Sequence, residues 1–135
     1  HRVATLQTEV HMGLLAELEK PTHIEQLGDR KAPIIDIVVG NYYPFGVDSK
    51  DFDHGNNIID QIDVGGPTMG RSGSKGLRAV VLEAKDYPII LDELKQFGEV
   101  TLATRWRLAG EFFRTVSSLD ANIAQYFEEN PPPED

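Results

Sequence analysis

Two short β-rich runs most constrain what this chain can fold into. Residues 34–39 form one continuous run, and residues 78–82 contain the second, Ala79-Val80-Val81-Leu82. A run of this kind is typical of a strand that is covered on both faces in a parallel sheet. Helical patterns lie between and after the two runs, and strands that alternate with helices predict the α/β class.

Local signals predict three short helices around these strands. Thr22 and Glu25 have the spacing of a capping box and predict a helix that fades near Gly28. Residues 57–61 predict a short helix that runs toward a glycine-rich turn. Pro88 stands early in a third helical pattern, where its missing N–H is tolerated, and Gly98 is expected to end that helix.

The last third of the chain carries the strongest helical pattern. Ser117 and Ser118 are expected to break this segment into two helices. Apolar residues form a stripe along this segment, and the stripe predicts a core face or a dimer face, with a cofactor pocket as the alternative. Its apolar residues recur at spacings of three, four and seven: Leu102, Trp106, Ala109, Phe113, Val116, Ile123 and Phe127.

Charge and composition exclude several classes of protein. Thirteen Lys and Arg residues stand against 22 Asp and Glu, a net charge of −9, whereas a protein that tracks a nucleic-acid backbone needs a basic face. No apolar run approaches the roughly 20 residues that span a bilayer. The absence of cysteine excludes disulfides and Cys-based metal or redox sites. We therefore expect no nucleic-acid partner, no membrane span and a cytoplasmic location.

Two loops could carry chemistry. The first follows the strand at residues 34–39, and ligands of open α/β sheets bind beyond the carboxyl ends of strands. Its Tyr43 could orient or protonate a substrate, or could simply be an aromatic residue under the loop. In the second, Gly65 and Gly66 expose consecutive backbone N–H groups that suit an oxyanion. Asp63 could act there as an acid or base with Lys75 as a cationic partner, but a flexible surface turn is the alternative.

Other catalytic motifs are absent from the sequence. The second loop lacks the Gly-Lys-Ser/Thr ending of a P-loop. His1, His11, His23 and His54 are scattered, without the spacing of a zinc helix, so no metal site is expected. No nucleophile elbow is present, which excludes a serine hydrolase of that kind.

Taken together, the loops resemble the IMP cyclohydrolase domain of the bifunctional purine-biosynthesis enzymes, which also contain an AICAR formyltransferase domain. Further matches follow in the same order along the chain, among them Lys75, Thr104-Arg105 and Asp120. The resemblance covers nearly all of the chain before the acidic, proline-rich end. Its most specific segments are Ile35-Asp36-Ile37-Val38-Val39, Asn41-Tyr42-Tyr43-Pro44-Phe45 and Ile62-Asp63-Val64-Gly65-Gly66-Pro67.

The resemblance implies a fold, a reaction and a set of site residues. The fold is a methylglyoxal-synthase-like three-layer domain with a parallel sheet and C-terminal helices, and it forms a homodimer. The reaction closes the ring of formyl-AICAR, a phosphoribosyl imidazole carboxamide nucleotide, to IMP and water, with no cofactor and no metal. Tyr43, Asp63 and Lys75 would be catalytic. The implied substrate-binding residues are Arg2, Thr5, Asn41, Val64, Gly65 and Gly66.

The chain departs from the family pattern near its start. Ala4 stands where the family has a catalytic lysine, and Gln7 and Glu9 replace a histidine and a second lysine. The loss of cations beside an anionic substrate favours an alternative function, a catalytically silent nucleotide-binding or regulatory domain. A third interpretation is a structural fragment that holds a dimer through residues 102–127. Around Lys75, glycines replace larger family residues: Gly70, Gly73 and Gly76.

The resemblance also predicts the domain organisation. Residues 1–127 are expected to form the cyclohydrolase-like domain, and residues 128–135 an acidic proline-rich linker or tail. The family's first strands and its phosphate loop would lie before His1, so the domain is expected to be incomplete at its N-terminus. In the family, a formyltransferase domain would follow the tail.

Overall fold

The computed structural model describes residues 6–42, 45–46 and 58–132. Two strands pair in parallel, with Val38 opposite Val80. The α/β class with a parallel sheet and a C-terminal helix is therefore confirmed. Two short 3₁₀ helices, Ile58–Gln61 and Ala84–Asp86, lie between longer elements. In chain order these elements are α1 (Thr8–Leu15), α2 (Pro21–Arg30), β1 (Ile37–Val39), α3 (Gly65–Lys75), β2 (Ala79–Val81), α4 (Tyr87–Phe97) and α5 (Leu102–Glu129).

The core lies on both faces of the sheet, because successive side chains of a strand point to opposite sides. Val38 and Val80 pack with α1 and α5, where the fully buried Leu14 and Phe112 complete a first cluster. On the other face, Ala79 and Val81 pack in a second cluster. That cluster is completed by residues of α4, α5 and the segment between them: Ile90, Val100 and Leu108.

The predicted first strand is shorter and more exposed than expected. β1 begins at Ile37, and Ile35 instead donates its N–H to the carbonyl of Gly13 in α1 at 3.3 Å. Val39 is 59% exposed and Ile34 is 47% exposed, so the prediction that this run is covered on both faces is wrong. Within the described residues, β1 pairs with β2 on one side and only Val38 of the strand is buried.

Two helix starts test the local signals. α2 begins at Pro21, with Lys20 at its N-cap and no side-chain capping bond, so the predicted capping box at Thr22 is wrong. Proline suits the first helical position because its φ is fixed and that N–H has no partner within the helix. The prediction for α4 is confirmed, since Pro88 lies in its first turn and Gly98 ends it with φ 76°.

α5 is one continuous helix of 28 residues, so the predicted break at Ser117 and Ser118 is wrong. The buried face is also displaced from the predicted apolar stripe: Trp106 is 69% exposed and Phe113 is 47% exposed. Two neighbouring stripes of this helix are apolar, and contact with β2 and α3 selects the one that is buried. The residues of α5 that are buried are Thr104, Leu108, Phe112 and Val116.

The C-terminal end of α1 is anchored by a buried arginine. Arg78 precedes β2, and its side chain donates to the carbonyls of Leu14 at 3.1 Å and Ala16 at 2.7 Å. These carbonyls lie at the end of α1, where a helix leaves acceptors without an intrahelical partner. The bonds therefore hold α1 against the sheet.

The last helix ends at Glu129, two residues inside the segment expected to be a tail, and the domain boundary at 127 stays a prediction. In the described ranges, no helix is both long enough and apolar enough to cross a membrane.

Candidate functional site

The carboxyl end of β1 and the N-terminal end of α3 meet at one edge of the sheet. Gly40 continues the pairing beyond β1, since its N–H donates to the carbonyl of Val81 at 3.1 Å. Tyr42 then crosses to α3, where its hydroxyl donates to the carbonyl of Gly66 at 2.9 Å. Ligands of α/β sheets bind at this kind of edge, so the two predicted loops are parts of one candidate site.

Asp63 holds the first turn of α3. The N–H of Gly66 donates to Asp63 Oδ1 at 3.1 Å, although Asp63 lies one residue before the N-cap, Val64. A side chain at position 66 would not fit, because its Cβ would lie 2.5 Å from Asp63 Oδ2. The sequence therefore places a glycine where the carboxylate packs closest to the backbone of the helix.

The start of α3 has the electrostatics of an anion site. The first N–H groups of an α-helix have no partner within the helix, and they form the positive end of its dipole. Val64 is exposed, and Gly65 and Gly66 are half-buried beside it. Because Asp63 already accepts from the N–H of Gly66, developing negative charge on a ligand would be stabilised by the N–H groups of Val64 and Gly65.

Tyr42 is a permanent hydrogen-bond donor in this site. Burial and, to a smaller extent, the nearby Asp63 carboxylate raise the pKa of Tyr42 to about 12. Its phenol therefore remains protonated at neutral pH. Its ring also meets Phe112 edge to face, with the ring centroids 6.2 Å apart.

Lys75 is not brought to this cluster. It is the last residue of α3, which has 11 residues and begins at Gly65. At 1.5 Å per residue, the two ends of this helix are about 15 Å apart. Lys75 is exposed at the far end, whereas Asp63 lies just before the near end. Arg71, between them on α3, pairs with Asp120 of α5 at 2.6 Å.

The remaining predicted residues divide into two groups. Asn41 is exposed on the loop that leads from β1 to Tyr42, and it lies on the same edge as the start of α3. Tyr43, Arg2 and Thr5 lie outside the described residues, as does Ala4. Their roles stay predictions. The structure thus joins the Asn41 loop with the segment from Asp63 to Gly66.

A cavity of about 540 Å³ opens beside the first turn of α3. Within it, His11 Nδ1 lies 2.8 Å from Ser72 Oγ, and no other described residue provides a partner for the buried His11 Nε2. No pattern in the sequence assigned His11 a role, because this histidine lacks the spacing of a metal ligand. The cavity lies between α1, α2 and α3, and its walls include Leu6, His11, Met12, His23, Leu27 and Thr68.

Tyr42 also had no role in the site assigned from the sequence, because the role was assigned to the neighbouring Tyr43. A usable signal was present in the alternation of the preceding strand. Positions 38, 40 and 42 fall on one side of an extended chain, so the Tyr42 side chain lies on the same side as the buried Val38.

Comparison with known proteins identifies what this chain is similar to. The family model of the AICARFT/IMPCHase bienzyme matches residues 77–134, which contain β2, α4 and α5. The bifunctional purine biosynthesis protein PurH of Streptococcus pneumoniae serotype 19F (strain G54) is 42% identical over 130 residues, or 93% of this chain. PurH of Streptococcus gordonii (strain Challis) has the same identity and coverage. This chain is similar to one part of the AICARFT/IMPCHase bienzymes.

The relationship is to one part of these enzymes. The chain spans 25% of the length of each PurH protein named above. A solved structure, that of ForH, superposes on 91% of this chain and 66% of its own chain, with a TM-score of 0.76 and 32% identity. The matches to PurH and ForH cover more than the 77–134 segment. The fold and the resemblance to a domain of the purine-biosynthesis bienzymes are therefore established on independent grounds.

Proposed function

We propose that this chain carries out IMP cyclohydrolase-type ring closure, converting formyl-AICAR to IMP and water in purine biosynthesis. One observation carries the proposal: Asp63 is held by Gly66 at the N-terminus of α3, beside the loop that follows β1. The similarity to PurH over 93% of the chain supports the substrate. The proposal is confined to this one reaction, because the chain spans a quarter of its bifunctional relatives.

The chemistry needs a base next to a site for developing negative charge. The carboxamide nitrogen attacks the formyl carbon, and one proton leaves that nitrogen as the new C–N bond forms. A second proton leaves the formamide nitrogen, and the formyl oxygen departs with both protons as water. Asp63 has one carboxylate oxygen on Gly66, and the other can accept a proton. The N–H groups at the start of α3 would stabilise the oxygen of the intermediate.

Tyr43 and Lys75 complete the proposed machinery by resemblance. Tyr43 would donate a proton to the departing oxygen, and Lys75 would polarise the formyl group. Because Lys75 lies about 15 Å along α3 from Gly65, the ammonium group must approach the substrate from outside the Asp63 cluster. Arg2, Thr5 and Asn41 would bind the nucleotide, and the chemistry requires neither a metal nor a cofactor.

The test is IMP formation from formyl-AICAR by the complete natural protein that contains this chain. We expect Asp63→Asn to lower kcat by roughly 10²- to 10⁴-fold, the usual contribution of a general base. Asp92→Asn is the matched control, because Asp92 is exposed on α4, away from the site. Turnover by Asp63→Asn at the rate of the control would contradict the proposal.

A second candidate function is a catalytically silent nucleotide-binding or regulatory domain. It is favoured by Ala4 in place of the family lysine and by Glu9, which lies on α1 and adds negative charge near the chain start. This function predicts IMP binding without turnover. Ala4→Lys would then restore activity, whereas an enzyme that already turns over needs no such change.

The proposal includes a homodimer in the cytoplasm. Support comes from the part of α5 that the fold leaves exposed, where Leu102 is 55% exposed and Trp106 is 69% exposed. Apolar residues in such a row commonly mark a protein–protein contact. Sedimentation of the complete natural protein as a monomer at high concentration would contradict the dimer and the structural role of α5 in it.

A further inference from the structure

Tyr42 connects the loop after β1 with both α3 and α5. Its hydroxyl donates to the carbonyl of Gly66, and its ring packs against the edge of Phe112. A side chain at either of the two glycines of α3 that face it would force a neighbouring side chain to move. A Cβ at position 66 would lie 2.9 Å from Tyr42 Cε1, and a Cβ at position 70 would overlap the Tyr42 hydroxyl. The tyrosine is thus closely fitted to the surface of α3.

Gly66 transmits the position of Tyr42 to Asp63. The N–H of Gly66 donates to Asp63 Oδ1, and the carbonyl of the same residue accepts from the Tyr42 hydroxyl. A shift of Gly66 therefore moves the group that orients the carboxylate. Asp63 is also close enough to act electrostatically on the Tyr42 phenol. The three residues form one connected unit at the start of α3.

We propose that Tyr42 is a positioning residue, whose hydroxyl holds Gly66 and, through Gly66, the Asp63 carboxylate in the orientation that proton transfer requires. The inference rests on the proposed function of Asp63. Tyr42 has no proposed contact with substrate, because its hydroxyl is directed at the helix backbone. Its pKa of about 12 keeps the hydroxyl proton available for this bond at neutral pH.

The first measurement separates positioning from binding. Tyr42→Phe keeps the ring against Phe112 and removes only the hydroxyl, and Tyr87→Phe is the control on an exposed tyrosine of α4. For ring closure by the complete natural protein, we expect Tyr42→Phe to lower kcat roughly tenfold while KM changes less than about twofold. A kcat equal to that of Tyr87→Phe would overturn the proposal.

The second measurement does not depend on turnover. Hydrogen exchange followed by mass spectrometry would report the backbone of residues 62–69. We expect this peptide to exchange at least about threefold faster in Tyr42→Phe, while peptides of α5 exchange as in the unmodified protein. Equal exchange in Tyr42→Phe and Tyr87→Phe would overturn the proposal even if kcat falls.

The two measurements also separate this inference from the proposed function. If the unmodified protein makes no IMP, the proposed function fails and exchange alone decides the role of Tyr42. Faster exchange of residues 62–69 in Tyr42→Phe would then support positioning of α3 and Asp63. Unchanged exchange would overturn the positioning role of Tyr42 as well.

Discussion

Gly70 is a position where a single added methyl group should cost stability, because the space beside it is filled by two aromatic side chains. A Cβ there would overlap Phe112 Cε2 and the Tyr42 hydroxyl, and it would lie 2.9 Å from Phe112 Cδ2. Carbon atoms pack at about 3.5–4.0 Å, so Phe112, which is fully buried, would have to move by roughly 1 Å. Overpacking of this kind costs about 1–3 kcal/mol, against a gain of up to about 1 kcal/mol in helix propensity.

We therefore expect Gly70→Ala to lower the free energy of unfolding by about 1–2 kcal/mol and the Tm by roughly 4–8 °C. Gly110→Ala is the matched control, because Gly110 lies within α5 and a Cβ there would meet nothing within 4 Å. The control should gain up to about 1 kcal/mol from propensity alone. Urea and thermal unfolding would measure both. A Gly70→Ala protein as stable as Gly110→Ala would refute the steric reasoning.

Two further predictions concern the junction of α4 and α5. Arg107 pairs with the buried Asp86 at 2.8 Å. Arg107→Leu should therefore lower the free energy of unfolding in urea by about 2 kcal/mol, a value reduced to allow for the partial exposure of Arg107. Arg114 is exposed, and Arg114→Leu, the control, should change the free energy of unfolding very little. A hydrogen bond from Thr104 lowers the pKa of Glu93 in the folded protein. The ionised Glu93 therefore stabilises the fold above its unfolded pKa near 4.5, and this stabilisation is lost as the pH falls through the lower folded value. Thr104→Val should flatten the fall of Tm between pH 6 and 3, and an unchanged pH profile would contradict the role of this bond.

Elements with a strong local signal were predictable from the sequence. The helix from Tyr87 to Phe97 has a proline in its first turn and a glycine directly after it, and both fit the backbone only at those places. The two strands and their parallel pairing also followed from the β-rich runs. The helix was predictable because short-range geometry decides it, and the pairing was predictable because strands that alternate with helices form parallel sheets.

The burial of α5 was not predictable in the same way. The row that contains Trp106 and Phe113 and the row that contains Leu108 and Phe112 are both apolar, and each follows helical periodicity. Only contact with β2 and α3 decides which row is buried, and a single sequence carries no record of that contact. The same applies to β1, whose exposure depends on what lies beside it.

For the candidate site, the motif predicted that Asp63, the two glycines and Lys75 lie close together. The structure places Asp63 beside Gly66 but keeps Lys75 at the far end of α3. Lys75 lies twelve positions after Asp63, and the helix propensity of the intervening segment is weakened by glycines. The pattern of a carboxylate followed by a cation therefore suggested a compact loop. The continuous helix α3 instead extends the segment and places the two groups at opposite ends.

The position of Lys75 leads to a prediction about the proposed homodimer. If a lysine exposed at the far end of α3 acts on substrate at Asp63 of a second copy, two differently inactivated subunits should complement each other. Asp63→Asn and Lys75→Met subunits, each inactive alone, should then regain about a quarter of the unmodified IMP-forming activity when co-expressed, because about half of the dimers are mixed and each has one intact site. Co-expression of Asp63→Asn with the double variant should restore nothing. If the first mixture is also inactive, Lys75 does not act across the dimer, and the role that the resemblance assigns to it must be abandoned or confined to its own chain.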